Sequence, residues 1–248
     1  VDPVRDKGII DTELQLKDLE TVEARLGKIQ KQAAVGGDKN AKRQVELLLQ
    51  YKTVLEQGLS ARTVELEKED RKLVADLNLL TDKPVLYVCN VDEKSAATGN
   101  AHTEAVRATI AGEKAEMLVI AAATEADIAE LESYEERQMF LEDLGLKESG
   151  VARLIKSAYK LLNLETFFTT GADETRAWTY SRGMKAPQTA GVIHTDFERG
   201  FIRAEVIKYD DYVTLGSEKA CRDAGKIGIE GKEYIVQDGD IMHFLFNV

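Results

Sequence analysis

Hydrophobic positions in the first quarter of the chain repeat at spacings of three and four. Leu19, Val22, Leu26, Ile29 and Ala33 form one such seam, and Val45, Leu48 and Leu55 line one face of a second helix. A three–four alternation keeps apolar side chains on one helix face and is the seam of a coiled coil. Between the two lies Ala33-Ala-Val-Gly-Gly-Asp-Lys-Asn40, with Gly36-Gly37 as the turn. Residues from about 12 to 57 therefore read as a helical hairpin that stops near Gly58. Helices of so few turns pair only with each other, so they form an arm on a larger body. A third helix, Glu67 to Leu80 with Leu73, Leu77 and Leu80 on one face, returns the chain to that body.

The pattern then changes. Val85–Cys89 and Met117–Ala121 are unbroken apolar runs, as expected of parallel strands buried on both faces. Thr103–Ala111 is a short helix between them. Thr124-Glu-Ala-Asp127 has capping-box spacing and opens a helix toward Asp143, and Ser149–Leu162 is amphipathic. Strand–helix–strand–helix is the second half of a doubly wound α/β domain. Two strands are too few for a stable sheet, so the front of that domain is expected outside this sequence. From Leu164 the chain turns to short strands rich in aromatic and β-branched residues, at Thr166–Thr170, Thr175–Tyr180, Phe201–Ile207 and Ile241–Asn247. Ser217–Ala224 reads as a helix and Asp238-Gly-Asp240 as a tight turn. The expected fold class is α/β: segments 1–11 and 81–163 from a nucleotide-binding domain, a helical arm at 12–80, and an α+β module at 164–248.

Composition narrows the function. The 248 residues carry a net charge of −11, which argues against indiscriminate coating of nucleic acid. Yet between Arg25 and Lys52 seven Lys/Arg face only Asp38 and Glu46. This excess gathers near the turn of the arm, as a solvated helical surface or as a tip that faces nucleic acid. The module from Leu164 has ten Lys/Arg against fourteen Asp/Glu, with no broad basic face. No apolar run approaches the roughly 20 residues of a membrane helix, so no membrane partner is expected. Val1-Asp2-Pro3-Val4-Arg5-Asp6 has no Met, basic region or apolar region, so the chain reads as a fragment without a signal peptide. Cys89 and Cys221 stand far apart and suggest neither a disulfide nor a metal site, which fits a reducing cytoplasm.

The first apolar strand ends in Asn90-Val91-Asp92-Glu93. This resembles the Asn-Lys-x-Asp loop with which P-loop GTPases read the base, with Glu in the place of Asp. Ligands of doubly wound sheets bind beyond the carboxyl ends of the strands, where Asn90 lies. Its amide both donates and accepts, so it can address purine N7 and the neighbouring exocyclic group. An Asp three residues on would accept from guanine N1–H and N2–H2. Adenine offers neither donor, and a longer Glu cannot take the Asp position unchanged. Glu93 therefore predicts weakened guanine selectivity and tolerance of, or preference for, adenine. An Asn here also commonly caps a helix or turn, and both readings stand. Ile120-Ala121-Ala122-Ala123 at the end of the next strand matches the place where P-loop GTPases set backbone N–H groups against the base; small residues also suit a packed helix start. No Gly-x-x-x-x-Gly-Lys-Ser/Thr occurs in the sequence.

Further residues extend the likeness. The arm, Asn90 to Glu93, Arg176-Ala-Trp178-Thr, Ala186-Pro-Gln188, Ala190-Gly-Val-Ile-His-Thr-Asp-Phe-Glu198, Gly200-Phe-Ile-Arg203 and Tyr234-Ile-Val-Gln-Asp-Gly-Asp240 resemble the YchF or Obg-like ATPase family over essentially the whole chain. The resemblance implies a P-loop domain interrupted by a coiled-coil arm and followed by a TGS domain of β-grasp fold. It implies hydrolysis of ATP, with GTP read less specifically, and association with ribosomes in translation or stress responses. The base-binding residues it implies are Asn90, Val91, Glu93, Ala121 and Ala122. The phosphate loop, switch regions and Mg2+ ligands lie upstream in the family, so this chain is expected to hold no catalytic residue or metal ligand and no activity alone. The candidate RNA or ribosome contacts are Lys28, Lys31, Lys39, Lys42 and Arg43, and a monomer is expected. A non-catalytic ribosome-binding adaptor built from the arm and the C-terminal module is the competing reading. His194 is expected to make a structural hydrogen bond and Trp178 to pack in the core.

Overall fold

The computed structural model describes residues 1–36, 38–113, 115–171 and 174–247. They form two compact units, Val1–Leu154 and Ile155–Val248.

The first unit opens with helix α1, Pro3–Gly36, against which α2, Lys39–Glu56, folds back. At 1.5 Å per residue α1 is about 50 Å long. It starts nine residues before the expected arm: Pro3 suits the first turn of a helix and Gly8 alone does not end it. Gly37 of the expected turn lies outside the described residues; Asp38 caps α2, its Oδ1 accepting from the amides of Asn40 and Ala41. Val22, Leu26 and Ile29 of the predicted seam are buried with Leu48 and Leu55. Leu47 and Tyr51, absent from that seam, are buried as fully. Helix α3, Lys68–Val74, is shorter than expected; a 3-10 turn at Ala75–Leu77 ends in left-handed Asn78, and Leu80 is exposed.

Strand β1, Leu86–Asn90, is followed by α4, Ala101–Ile110, and by β2, Glu116–Ile120, which pairs parallel to β1 with Asn90 opposite Ile120. The expectation that β1 is buried on both faces does not hold within this chain, where Val88 is 48% exposed. Among the described residues the sheet has two strands, which leaves one edge of β1 without a neighbour.

The helix expected from Thr124 to Asp143 is two helices, α5 at Ala122–Glu130 and α6 at Tyr134–Asp143. The break follows from a stronger cap downstream. Ser133 accepts from the Glu136 amide at 3.1 Å while the Glu136 carboxylate accepts from the Ser133 amide at 3.2 Å. Thr124 is instead buried inside α5. Helix α7, Gly150–Leu161, follows.

The second unit is a five-stranded mixed sheet of order β4-β3-β7-β5-β6. Its elements are β3 (Leu164–Thr170), β4 (Thr175–Ser181), α8 (Ala186–Ile193), α9 (Thr195–Arg199), β5 (Phe201–Ile207), α10 (Tyr209–Leu215), α11 (Glu218–Asp223), β6 (Ile227–Glu230) and β7 (Ile241–Phe246). The central pair β3–β7 is parallel and the other neighbours are antiparallel. Phe167, Tyr180, Phe244, Met242 and Ala204 pack with Ala186 and Ala190 of α8 on one face. Helices α8, α9 and α10 and strand β6 were not anticipated from the sequence.

Candidate functional site

The carboxyl ends of β1 and β2 bring the predicted base-reading residues together. Parallel pairing continues past the strands, the Val91 amide donating to the Ile120 carbonyl at 2.9 Å. Asn90 Oδ1 then accepts from the Ala122 amide at 3.0 Å. An amide N–H needs an acceptor, so this bond fixes which end of the Asn90 side chain faces Ala122. The remaining NH2 has no acceptor among the described residues and is free to donate. The sequence predicts both ends of this amide on the base; in the structure the carbonyl already accepts one bond from the second loop.

Asp92 organises the turn that follows. Its Oδ1 accepts from the Ser95 amide at 2.9 Å and caps the 3-10 turn Glu93–Ser95. Hydrogen bonds from the Ser95 hydroxyl and amide hold the Asp92 carboxyl below its usual range. Glu93 is exposed at the start of that turn with no partner among the described residues. Ala121 is buried, whereas Ala122 and Ala123 are open.

A cleft of about 740 Å3 opens beside this strand end. Asn90, Val91 and Asp92 line it, together with Cys89, Asn100 and His102. Glu93, Ala121 and Ala122 are not among its lining residues. Asn100 caps α4, accepting from the amides of His102 and Thr103 at 3.0 and 3.1 Å. The Asn100-x-x-Thr103 spacing was the available sign of this cap. Gly99 precedes it at φ +75°, where a Cβ would collide with Thr103 Oγ1, so only glycine fits. One wall of the cleft is Lys7 of α1, bonded to Asp11 at 2.7 Å and to Glu113 at 2.8 Å. Tyr87 also donates to Glu113, at 2.9 Å. Partial burial alone would raise the Glu113 carboxyl, but the Lys7 and Tyr87 hydrogen bonds outweigh it and hold Glu113 low.

The end of β1 and the two loops beside it are thus joined by hydrogen bonds. The family model YchF-GTPase_C, described as a protein of unknown function (DUF933), matches residues 164–247. Over its whole length the chain is 51% identical to the ribosome-binding ATPase YchF of Bacillus subtilis, of which it covers 68%. It is 44% identical to the Obg-like ATPase 1 of Rattus norvegicus, of which it covers 63%. The chain belongs to the YchF and Obg-like ATPase family. The structure of the Schizosaccharomyces pombe YchF GTPase aligns with 99% of it at a TM-score of 0.87 and 34% identity, over 66% of that chain. Members of the YchF family so matched are about half as long again as this sequence.

The basic residues of the α1–α2 hairpin divide into two groups. Lys28, Lys31, Lys39 and Lys42 are exposed and have no partner among the described residues. Arg43 is committed: its Nη2 pairs with Asp70 at 2.7 Å and its Nη1 with Glu46 at 2.6 Å. In the second unit Trp178 stacks on Phe167, donates to Thr169 Oγ1 at 2.9 Å and carries Arg176 over its ring. His194 caps α9, its Nδ1 accepting from the Asp196 amide at 3.2 Å. Among the described residues no cluster of His, Cys, Asp or Glu is placed to hold a metal ion, and no helix is long and apolar enough to cross a membrane.

Proposed function

We propose that the full-length protein binds and hydrolyses ATP, with GTP read less specifically, on or near the ribosome. In this reading residues 1–11 and 81–163 complete a P-loop domain, 12–80 form its arm, and 164–248 form a TGS domain. The order β4-β3-β7-β5-β6 around a parallel central pair supports a β-grasp fold for the last of these. Within this chain the contribution to the reaction is binding and orientation. The Asn90 NH2, held by the bond from Ala122 to its carbonyl, donates to a purine N7. Ala122 and Ala123, open and small, let backbone approach the base edge. Glu93 withholds the short carboxylate that would single out guanine. Bound Mg2+ would neutralise phosphate charge during transfer; its ligands and the phosphate cradle are expected in the part of the protein beyond this sequence, so this chain alone is inactive.

The observation that carries the reading is the Asn90–Ala122 bond, which joins two loops at the switch from strand to ligand site. Its test is titration of the full-length protein with ATP and GTP. Asn90→Ala should weaken both about tenfold, the worth of roughly one hydrogen bond. Glu93→Asp should move the ratio toward GTP. Unchanged affinity in Asn90→Ala would remove the base-reading role, and a strong GTP preference in both wild type and Glu93→Asp would remove the specificity argument.

A second role is supported by Lys28, Lys31, Lys39 and Lys42, exposed and without a partner among the described residues. Exposed lysines near the turn of a helical hairpin in a net-negative protein suit contact with ribosomal RNA, with Arg43 instead bracing α2 against Asp70.

A further inference from the structure

Three contacts hold the loop that contains Ala122 from behind. Glu125, three residues after Ala122, accepts from the amides of Gly150 and Val151 at the start of α7, at 2.6 and 3.2 Å. Arg153, one turn further along α7, donates to the carbonyl of Val119 at 2.8 Å. Gly150 is buried against Ile120, where a Cβ would stand 2.8 Å from Glu125 Oε1 and 2.9 Å from Ile120 Cγ2. The contacts land on Val119, Ile120 and Glu125, so they bracket Ala121 to Ala123 on both sides.

A carboxylate at a helix N-terminus is commonly a cap and no more. Here the carboxylate belongs to another helix, whose first residue is Ala122, the partner of Asn90. Fixing Glu125 fixes the first turn of α5 and with it the direction of the Ala122 N–H. That N–H sets the rotation of the Asn90 amide and hence where its NH2 points. Glu125 touches no part of the cleft. We infer that Glu125, seated on Gly150 and Val151, is a positioning residue for the Asn90 base-reading amide; the inference rests on the base-reading role proposed above.

The test uses the full-length protein, with Mg2+-ATP and Mg2+-tripolyphosphate as probes, the second having no base for Asn90 to meet. Glu125→Ala and Gly150→Ala should weaken ATP about three- to tenfold, a fraction of one well-aligned hydrogen bond, and leave tripolyphosphate unchanged. Hydrogen exchange at the Ala122 amide should quicken in both. Glu125→Gln keeps one acceptor for Gly150 and should fall between them and wild type; it carries the same readout should the alanine variants not fold. Equal weakening of ATP and tripolyphosphate, or unchanged ATP affinity in a folded Glu125 variant, overturns the inference. An Asn90→Ala variant run alongside separates the failures. If it weakens ATP while the Glu125 variants do not, the positioning role alone is lost; if it leaves ATP unchanged, the base-reading role is lost and the positioning role with it.

Discussion

Asp18 is 2% exposed at the base of the arm, yet it is fully employed. It accepts from the amides of Leu80 and Thr81 and from the Thr81 hydroxyl, each at 2.7 Å. Asp18→Ala leaves the two buried Thr81 donors without this acceptor and should cost about 1–3 kcal/mol in urea unfolding. Tyr51, buried in the arm core, gives a pH signature. Burial, helped by the nearby Asp82 charge, pushes its phenol up to about 12. An unfolded tyrosine ionises near pH 10, so from about 10 to 12 only the unfolded state gives up this proton. Its contribution is therefore complete below pH 10 and lost as pH rises toward 12. Unfolding at pH 9 and pH 11 should show that loss, and Tyr51→Phe should reduce it; Tyr180 and Tyr234 are raised by burial too, so it should not vanish. Among single residues, Asn90 was legible because a strand end exposes it by position alone. Glu125 was not, because its partners stand 25 and 26 residues away.

Among elements, the long helices and the apolar strands were readable from periodicity, and the short ones were not. Helix α8 spans eight residues, is apolar on most sides and contains Pro187, so it shows no amphipathic stripe. It forms because Ala186 and Ala190 pack flat on the aromatic face of the sheet. Strand β5 meets β7 through a similarly hidden constraint at Gly200. The Asn247 amide donates to the Gly200 carbonyl at 2.9 Å, and a Cβ on Gly200 would overlap the Asn247 carbonyl oxygen. The oxygen is backbone, so it can yield only if the end of β7 moves. Gly200→Ala should therefore destabilise the protein by about 1–3 kcal/mol or more, seen as a lowered Tm, although its backbone is not left-handed. A cost below about 0.5 kcal/mol would show that the end of β7 gives way.

For the molecule as a whole, a charge of −11 and a basic arm make opposite demands on a polyanionic partner. Attraction at the arm wins only where acidic surface is far relative to the Debye length of about 8 Å at physiological salt. If the arm lysines meet ribosomal RNA, co-sedimentation of the full-length protein should fall steeply with salt. Lys39→Glu with Lys42→Glu should weaken it and flatten the salt slope by nearly one for each phosphate that is no longer neutralised. An unaltered slope would reject the arm as the RNA-facing surface. The α1–α2 helical hairpin, the strand ending at Asn90, the local charge excess and the family are all written in the sequence, because they lie in periodicity, composition and short contiguous motifs. Folding in three dimensions added that the Asn90 carbonyl accepts from Ala122, that Arg43 is neutralised by Asp70, and that Glu125 braces the loop from α7. Each of those depends on which distant backbone amide or carboxylate arrives within hydrogen-bonding reach, and that is settled by packing rather than by spacing along the chain.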